Sequence, residues 1–462
     1  MSSTYVELRP GAYADSVALL QVSRSVQQVD GVLAAQVAMA TALNLEVLAE
    51  MGFDVPSEAT TNDLVVAVRV EDETVLERAL AAVAEALAET RRRTTGGDVD
   101  LAPHRTTATA LREQPGGLVL VSVAGRHALV EAMDALDAGS DVMVFSDNVP
   151  LDHELALKRS AAERGLLVMG PDCGTAVVDG VGLGFANVVR PGPVGLVAAS
   201  GTGCQQLLAL LDHAGVGVSS ALGVGGRDLS SEVRGLATRE AMRRLDRDPA
   251  VELIVLVSKP PADDVAADIE EYAATLATPV EYALLGPGRP DLTAAAEAVL
   301  RRLGHAVPAW PVTGAAGPAD GVIRGLFVGG TLASEARLIA GTDAGHTFVD
   351  FGDDEYTAGR AHPMIDPSLR LEHLARAAAD PATGVLLLDV VLGHGAEPDP
   401  ATLLAPALTG LGKPVVIAVV GTTGDPQGLD RQVRALADTG AEVHLSNAGA
   451  TRRALELVGG PL

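Results

Sequence analysis

The chain has 462 residues, too many for one hydrophobic core, so three or four units are expected. Apolar residues make up 48% and aromatics only 3%, which calls for Ala, Val and Leu cores packed between helices and sheets, a layered α/β architecture. The formal charge of −26 repels phosphate backbones and anionic lipid surfaces, so no nucleic acid and no membrane partner is expected, and as a solubility device the acidity needs no partner at all.

The opening MSSTYVELRP lacks a basic stretch followed by an apolar one, and no run approaches the roughly 20 apolar residues of a membrane span, which predicts a cytoplasmic protein. Cys173 and Cys204 are too few for a disulfide framework or a four-thiolate zinc site, so reduced thiols are expected.

Residues 1–95 read as strand, helix, strand, short helix, strand and helix, an order that suits a small α+β domain of ferredoxin-like type. Arg91-Arg92-Arg93 then closes a helix at its dipole-negative end, and Thr94-Thr95-Gly96-Gly97 supplies a polar linker. Residues 96–190 hold a short alternation of strands and helices (GLVLVSV, HALVEAMDALDAG, DVMVFSD) leading into Gly170-Pro171-Asp172-Cys173-Gly174. Residues 191–305 continue with VGLVAAS, VSSALGVG, VELIVLVS and PVEYALLG. Residues 322–462 run GLFVGG, HTFVDFG, TGVLLLDVVLG, PVVIAVVGT and EVHLSNA. Strand, loop and helix are spaced alike in these last two sets, which predicts one parallel-sheet domain repeated, with the Pro/Gly/Ala-rich HAVPAWPVTGAAGPADG between the copies.

In open parallel sheets ligands bind beyond the carboxyl ends of strands, so the following loops carry the functional expectation. Ser200-Gly201-Thr202-Gly203 opens a helix and is either an anion site or a tight turn with a hydroxyl cap, since it lacks the ending of a P-loop. Arg227, in Gly225-Gly226-Arg227-Asp228, and Lys259 follow neighbouring strands; they either clamp a carboxylate or phosphate or form rim salt bridges with Asp228 or Asp263. His394, between Gly393 and Gly395, sits on a loop before a helix capped by Asp399 and Pro400, and is a candidate nucleophile or acid/base as well as a plain exposed histidine. Asp353-Asp354-Glu355, with Arg360 and His362 close behind, is either a magnesium site or a solvated acidic loop. Zinc arrays, a G-x-S-x-G elbow and aromatic-basic stripes are absent from the sequence.

The block from VMGPDCGTAVVDG to VGVSSALGVGGRDL resembles the FdrA-like proteins closely and the α subunit of succinyl-CoA synthetase more distantly, through GP-x-C, the SGT turn and the VG-x-GG stretch. FVDFGDDEY and VVLGHGAEPDP resemble the C-terminal domain of that synthetase's β subunit. The resemblance implies a Rossmann-like CoA-binding-type domain, truncated here, and two flavodoxin-like domains of succinyl-CoA synthetase type. It implies helix starts at Gly201-Thr202-Gly203 and just after Gly393-His394-Gly395 facing a shared phosphate-bearing intermediate. Asp172, Cys173, Gly225 and Gly226 are the substrate- or cofactor-binding positions it implies.

Synthetases of this kind carry a phosphorylated histidine in a Gly-His-Ala-Gly loop, where this chain reads Gly286-Pro287-Gly288-Arg289. That departure favours carbamoyl transfer from an acyl phosphate to a small carboxylate such as oxamate, the ureide-breakdown activity associated with the FdrA-like branch. His394 would then donate to the transferred group's oxygens, alongside Lys259 and Arg227. An acyl-CoA synthetase using CoA, with Mg2+ and a nucleotide, and a non-catalytic scaffold are the alternatives. Partner subunits and a homo-oligomer are expected.

Overall fold

The computed structural model describes residues 3–12, 14, 16–95, 104, 106–341, 344–357 and 362–459, in two units that divide near residue 103. In the first unit, strands Ser3–Pro10 and Val32–Met39 flank Asp63–Val70 antiparallel, the split βαβ order expected from the sequence. The central strand alternates: Val66, Val68 and Val70 pack with Leu19, Val22 and Val26, while Val65 and Ala67 face Leu48 and Phe53. Helix Glu73–Thr95 runs through the arginine triplet, and Gly96 and Gly97 of the expected linker lie outside the described residues.

The second unit begins with a small parallel sheet of Val119–Val121, Val142–Val144 and Val168–Met169, the expected truncated Rossmann-like element. Gly125 opens its first helix against the Asp147 and Asn148 carbonyls, where a Cβ would meet the Asp147 oxygen at 2.1 Å.

Two six-stranded sheets follow. The first is ordered Val280–Leu284, Leu253–Ser258, Val194–Ala199, Val218–Gly223, then the hairpin Thr175–Val178 and Val181–Gly184. The second is ordered Val312–Thr313, Glu442–His444, Val415–Val420, Thr383–Val391, Val322–Phe327, Thr347–Asp350. In each, the first strand of the repeat lies between the second and the third, with the fourth beyond: one domain type repeated, as the spacing predicts, in the flavodoxin-like order that the family resemblance implies.

Two features depart from the sequence reading. The hairpin adds residues 175–184, which the sequence spacing groups with residues 96–190, to the first large sheet; its turn uses Asp179 and Gly180 at φ 49° and 80°. The interdomain segment also contributes an edge strand, Val312–Thr313, paired antiparallel with Glu442–His444.

Helix Gly201–His213 is buried on nearly every side, polar Gln205, Gln206 and Asp212 included, and each of its buried leucines contributes roughly 1.5–3 kcal/mol. It packs against helices and strands of both repeats. Gln205 and Gln206, wholly buried, tie the repeats together: Gln205 Nε2 donates to the Leu392 carbonyl at 3.2 Å, and Gln206 donates to the Leu445 carbonyl at 3.1 Å while accepting from Asn447 N at 3.0 Å.

Candidate functional site

The order of strands puts a crevice at the carboxyl end of each large sheet, between the first and third strand of each repeat. Ser200–Gly203 and Lys259 border it in the first repeat, Val328–Thr331 and Leu392–Gly395 in the second.

The helix starting at Gly201 meets the one starting at Gly330. Ser200 caps the first, its hydroxyl accepting from Gly203 N at 3.0 Å and bonding Thr331 Oγ1 at 2.6 Å. Thr202 fills the space a side chain at Gly329 would need, 2.9 Å from its Cβ position. Two helix N-termini therefore touch, and their like partial charges favour negative charge between or beside them. A Cβ at Gly201 would fit without a clash, in ordinary contact with Thr175 Oγ1 at 3.5 Å.

Carboxylates already serve the second helix start. Asp389, buried in the middle of its sheet, accepts from Val328 N at 2.8 Å and Gly329 N at 2.9 Å. Buried Arg370 lies 3.3 Å from it. Burial raises the Asp389 carboxyl to about 6 against the opposing pull of Arg370 and the two N–H groups. Asp350 ends its strand with Oδ1 accepting from Gly352 N at 2.9 Å. Its Oδ2 stands 2.1 Å from the Cβ position of Gly330, and the Lys259 ammonium 2.7 Å from the same point. Burial raises the Asp350 carboxyl above the usual range, and Lys259 pulls it back. His362 Nε2 lies 2.9 Å from the Cβ position of Gly352 while its Nδ1 accepts from Met364 N, which leaves the proton on Nε2. Burial lowers this imidazole to about 4, so it is neutral near pH 7. Two glycines, 330 and 352, thus make room for a lysine, a carboxylate and a neutral histidine in sequence.

The expected site residues divide. Ser200, Gly201, Thr202, Gly203 and Lys259 lie together at the crevice. Arg227 does not share a clamp with Lys259: its guanidinium donates to Glu154 at 2.8 Å and the Val149 carbonyl at 2.7 Å. Glu154 and Asp228 both grip buried Lys158 at 2.7 Å, so Arg227 extends a structural network. Gly225 allows close approach to the Pro171 carbonyl, 2.6 Å from its Cβ position, whereas Gly226 is open. Asp172 is an exposed residue at φ 56°. Cys173 was expected at a ligand but lies in the core, its Sγ on the Thr175 carbonyl and its thiol held protonated by burial.

His394 is exposed, with its backbone N donating to the Ala186 carbonyl at 2.8 Å and its ring 3.5 Å from the Cβ position of Gly182. Gly393 and Gly395 pack on the Ala186 and Gly184 carbonyls, so this loop docks on the hairpin side. The helix start that touches Ser200–Thr202 is therefore Gly330–Ala340, not the one after Gly393-His394-Gly395, because the first strand of the second repeat also borders the crevice. Asp353 accepts from Glu355 N, and among the described residues no three His, Cys, Asp or Glu side chains form a metal-holding group; Arg360 lies outside those residues. No helix among the described residues is long and apolar enough to cross a membrane. The sequence reading missed Asp350 as a site residue, although a carboxylate ending a parallel strand before Phe-Gly was a usable signal.

The AllF heavy metal-associated domain family matches residues 1–103, a stretch without cysteine, and the CoA-ligase family matches residues 326–457. The uncharacterized protein YahF of Escherichia coli (strain K12) is 36% identical over 99% of both chains. Succinate–CoA ligase [ADP-forming] subunit alpha 2 of Archaeoglobus fulgidus is 29% identical over 50% of this chain and 78% of that one. Among solved structures, the dinucleotide forming acetyl-coenzyme A synthetase 1 of Ca. Korarchaeum cryptofilum is 15% identical, covering 79% of this chain and 86% of that one, with a TM-score of 0.32.

Proposed function

Since the chain belongs to the FdrA-like family of the succinyl-CoA synthetase superfamily, we propose that it is a subunit of an acid–thiol ligase-type enzyme that handles a small carboxylic acid as its acyl phosphate. The observation that carries this reading is the contact of two helix N-termini at paired crevices, with Ser200 and Thr331 hydroxyls between them and Lys259 alongside. Helix starts and an ammonium suit a phosphate whose charge spreads over three oxygens. Backbone N–H groups from Gly201 onward would orient the phosphate, and Lys259 would neutralise it as it leaves the acyl carbon. His394 serves, at most, as a donor at the rim. The match to the CoA-ligase family and to a succinate–CoA ligase subunit supports a CoA thiol as the acceptor.

Carbamoyl transfer keeps one observation in its favour: the loop at Gly286-Pro287-Gly288-Arg289 offers no histidine to carry a phosphoryl group, and carbamoyl transfer needs none. Calorimetric titration of the full chain with CoA and, separately, carbamoyl phosphate separates the readings. Saturable CoA binding is expected. Carbamoyl phosphate binding with no heat from CoA would shift the assignment to carbamoyl transfer, and binding of neither, even with partner subunits present, would leave a scaffold.

A further inference from the structure

Asp350 and Lys259 stand on either side of the point where a side chain at Gly330 would begin, at 2.1 and 2.7 Å from it. The Oδ1 of Asp350 is held by Gly352 N, while its Oδ2 is turned toward Gly330 and the ammonium. Lys259 is exposed and Asp350 half-buried, so solvent ions reach the lysine and the carboxylate feels them from the protein side.

An anion that settles on Lys259 takes the cation that now stabilises the ionised carboxylate and places negative charge near Oδ2. In a partly desolvated crevice, both changes favour the protonated acid. Other charged groups act on Asp350 as well, and one of them, Asp389, itself changes charge near pH 6, which is why the Asp350→Asn comparison carries the test. Arg337, whose guanidinium donates to the Phe348 carbonyl, favours ionisation; Asp353 and buried Asp389 oppose it. Neutral His362 faces it across Gly352.

We propose that Asp350 is the proton carrier of this site: it takes up a proton from solvent when an anion occupies the Lys259 ammonium and returns it when the anion leaves. The inference rests on the anion reading of the crevice and extends it with a residue whose role is to change charge during the cycle. Uptake on binding means that anion affinity rises as pH falls through the range in which Asp350 titrates and levels off below it.

The test uses sulfate, which does not itself titrate between pH 5 and 8, as an inert probe. Calorimetry on the full chain in two buffers of different ionisation enthalpy gives the protons bound with the anion. The wild type is expected to take up a fraction of a proton and to bind more tightly at pH 5.5 than at pH 7.5. Asp350→Asn should bind sulfate about tenfold more tightly at pH 7.5, with no linked proton and a flat pH profile. Lys259→Met should lose about tenfold or more in affinity. Binding that depends on Gly201 but keeps the same proton uptake in Asp350→Asn would overturn the carrier role alone. Absence of sulfate binding to the wild type, or binding indifferent to Gly201→Val, would overturn the anion site and this inference with it. Should Asp350→Asn fail to fold, absence of linked proton uptake in the wild type is decisive against it.

Discussion

At the scale of single residues, the site is defined as much by missing side chains as by present ones. Gly330 and Gly201 both open helices at the crevice, yet their surroundings differ: a Cβ at Gly330 would strike Asp350 and crowd Lys259, whereas one at Gly201 would meet nothing closer than Thr175 Oγ1 at 3.5 Å. Gly330→Ala should therefore displace the pair and lower stability by about 1–3 kcal/mol, the usual effect of overpacking. Gly201→Val should leave stability unchanged and abolish binding of inorganic phosphate. Thermal unfolding and calorimetry on the two variants check the contrast, and equal effects on stability would contradict it. The SGT turn was legible as a helix start with a hydroxyl cap, because a serine followed by small residues precedes an apolar run. Arg227 was misplaced because position after a strand does not reveal where a long side chain points, and here Glu154 captured it. Cys173 was misplaced for a similar reason, since the turn that carries it folds its thiol inward.

At the scale of elements, strand periodicity and spacing carried most of the architecture. The repeated order of first, second and third strands follows from like spacing in two segments. The hairpin at 175–184 escaped because its strands are short, four residues each about the Asp179-Gly180 turn, and carry too little periodicity to stand out within residues 96–190. Contacts between elements were not legible at all: nothing in CQQLL says that Gln205 and Gln206 reach carbonyls nearly two hundred residues or more away. Nor does the sequence reveal Glu335, buried in helix Gly330–Ala340 and accepting from Leu292 N at 2.6 Å and Asn447 Nδ2 at 2.7 Å, where three helices meet. Burial raises its carboxyl to about 7. The folded state thus holds this proton more tightly than the unfolded state, so its contribution to stability is complete below about pH 4.5 and declines as pH rises toward 7. Glu335→Gln should remove on the order of 1–3 kcal/mol of that decline. Denaturant titrations at pH 5 and pH 8 measure it, and parallel pH dependence in wild type and variant would refute the assignment.

At the scale of the molecule, two sheets of one type present their crevices to a single buried helix and its counterpart, and the pattern of charge there is internally consistent. The second helix start is served from within by Asp389, with Asp350 beside it, while at the first the neutral Ser200 hydroxyl caps Gly203 N, so the unmet demand for negative charge lies at Gly201 and Thr202. That asymmetry ties the fold to the proposed chemistry, since it assigns the incoming phosphate to one helix and the proton-linked carboxylate to the other. Family membership extends along the whole chain, whereas the CoA-ligase match covers only the second repeat, which is why the shared crevice and not either half alone carries the functional proposal. The most direct measurement is amide hydrogen exchange of the full chain with and without inorganic phosphate. Slowed exchange at residues 201–203, together with a smaller effect at 330–332, is the predicted result; unchanged exchange at both helix starts while phosphate is bound would contradict the account.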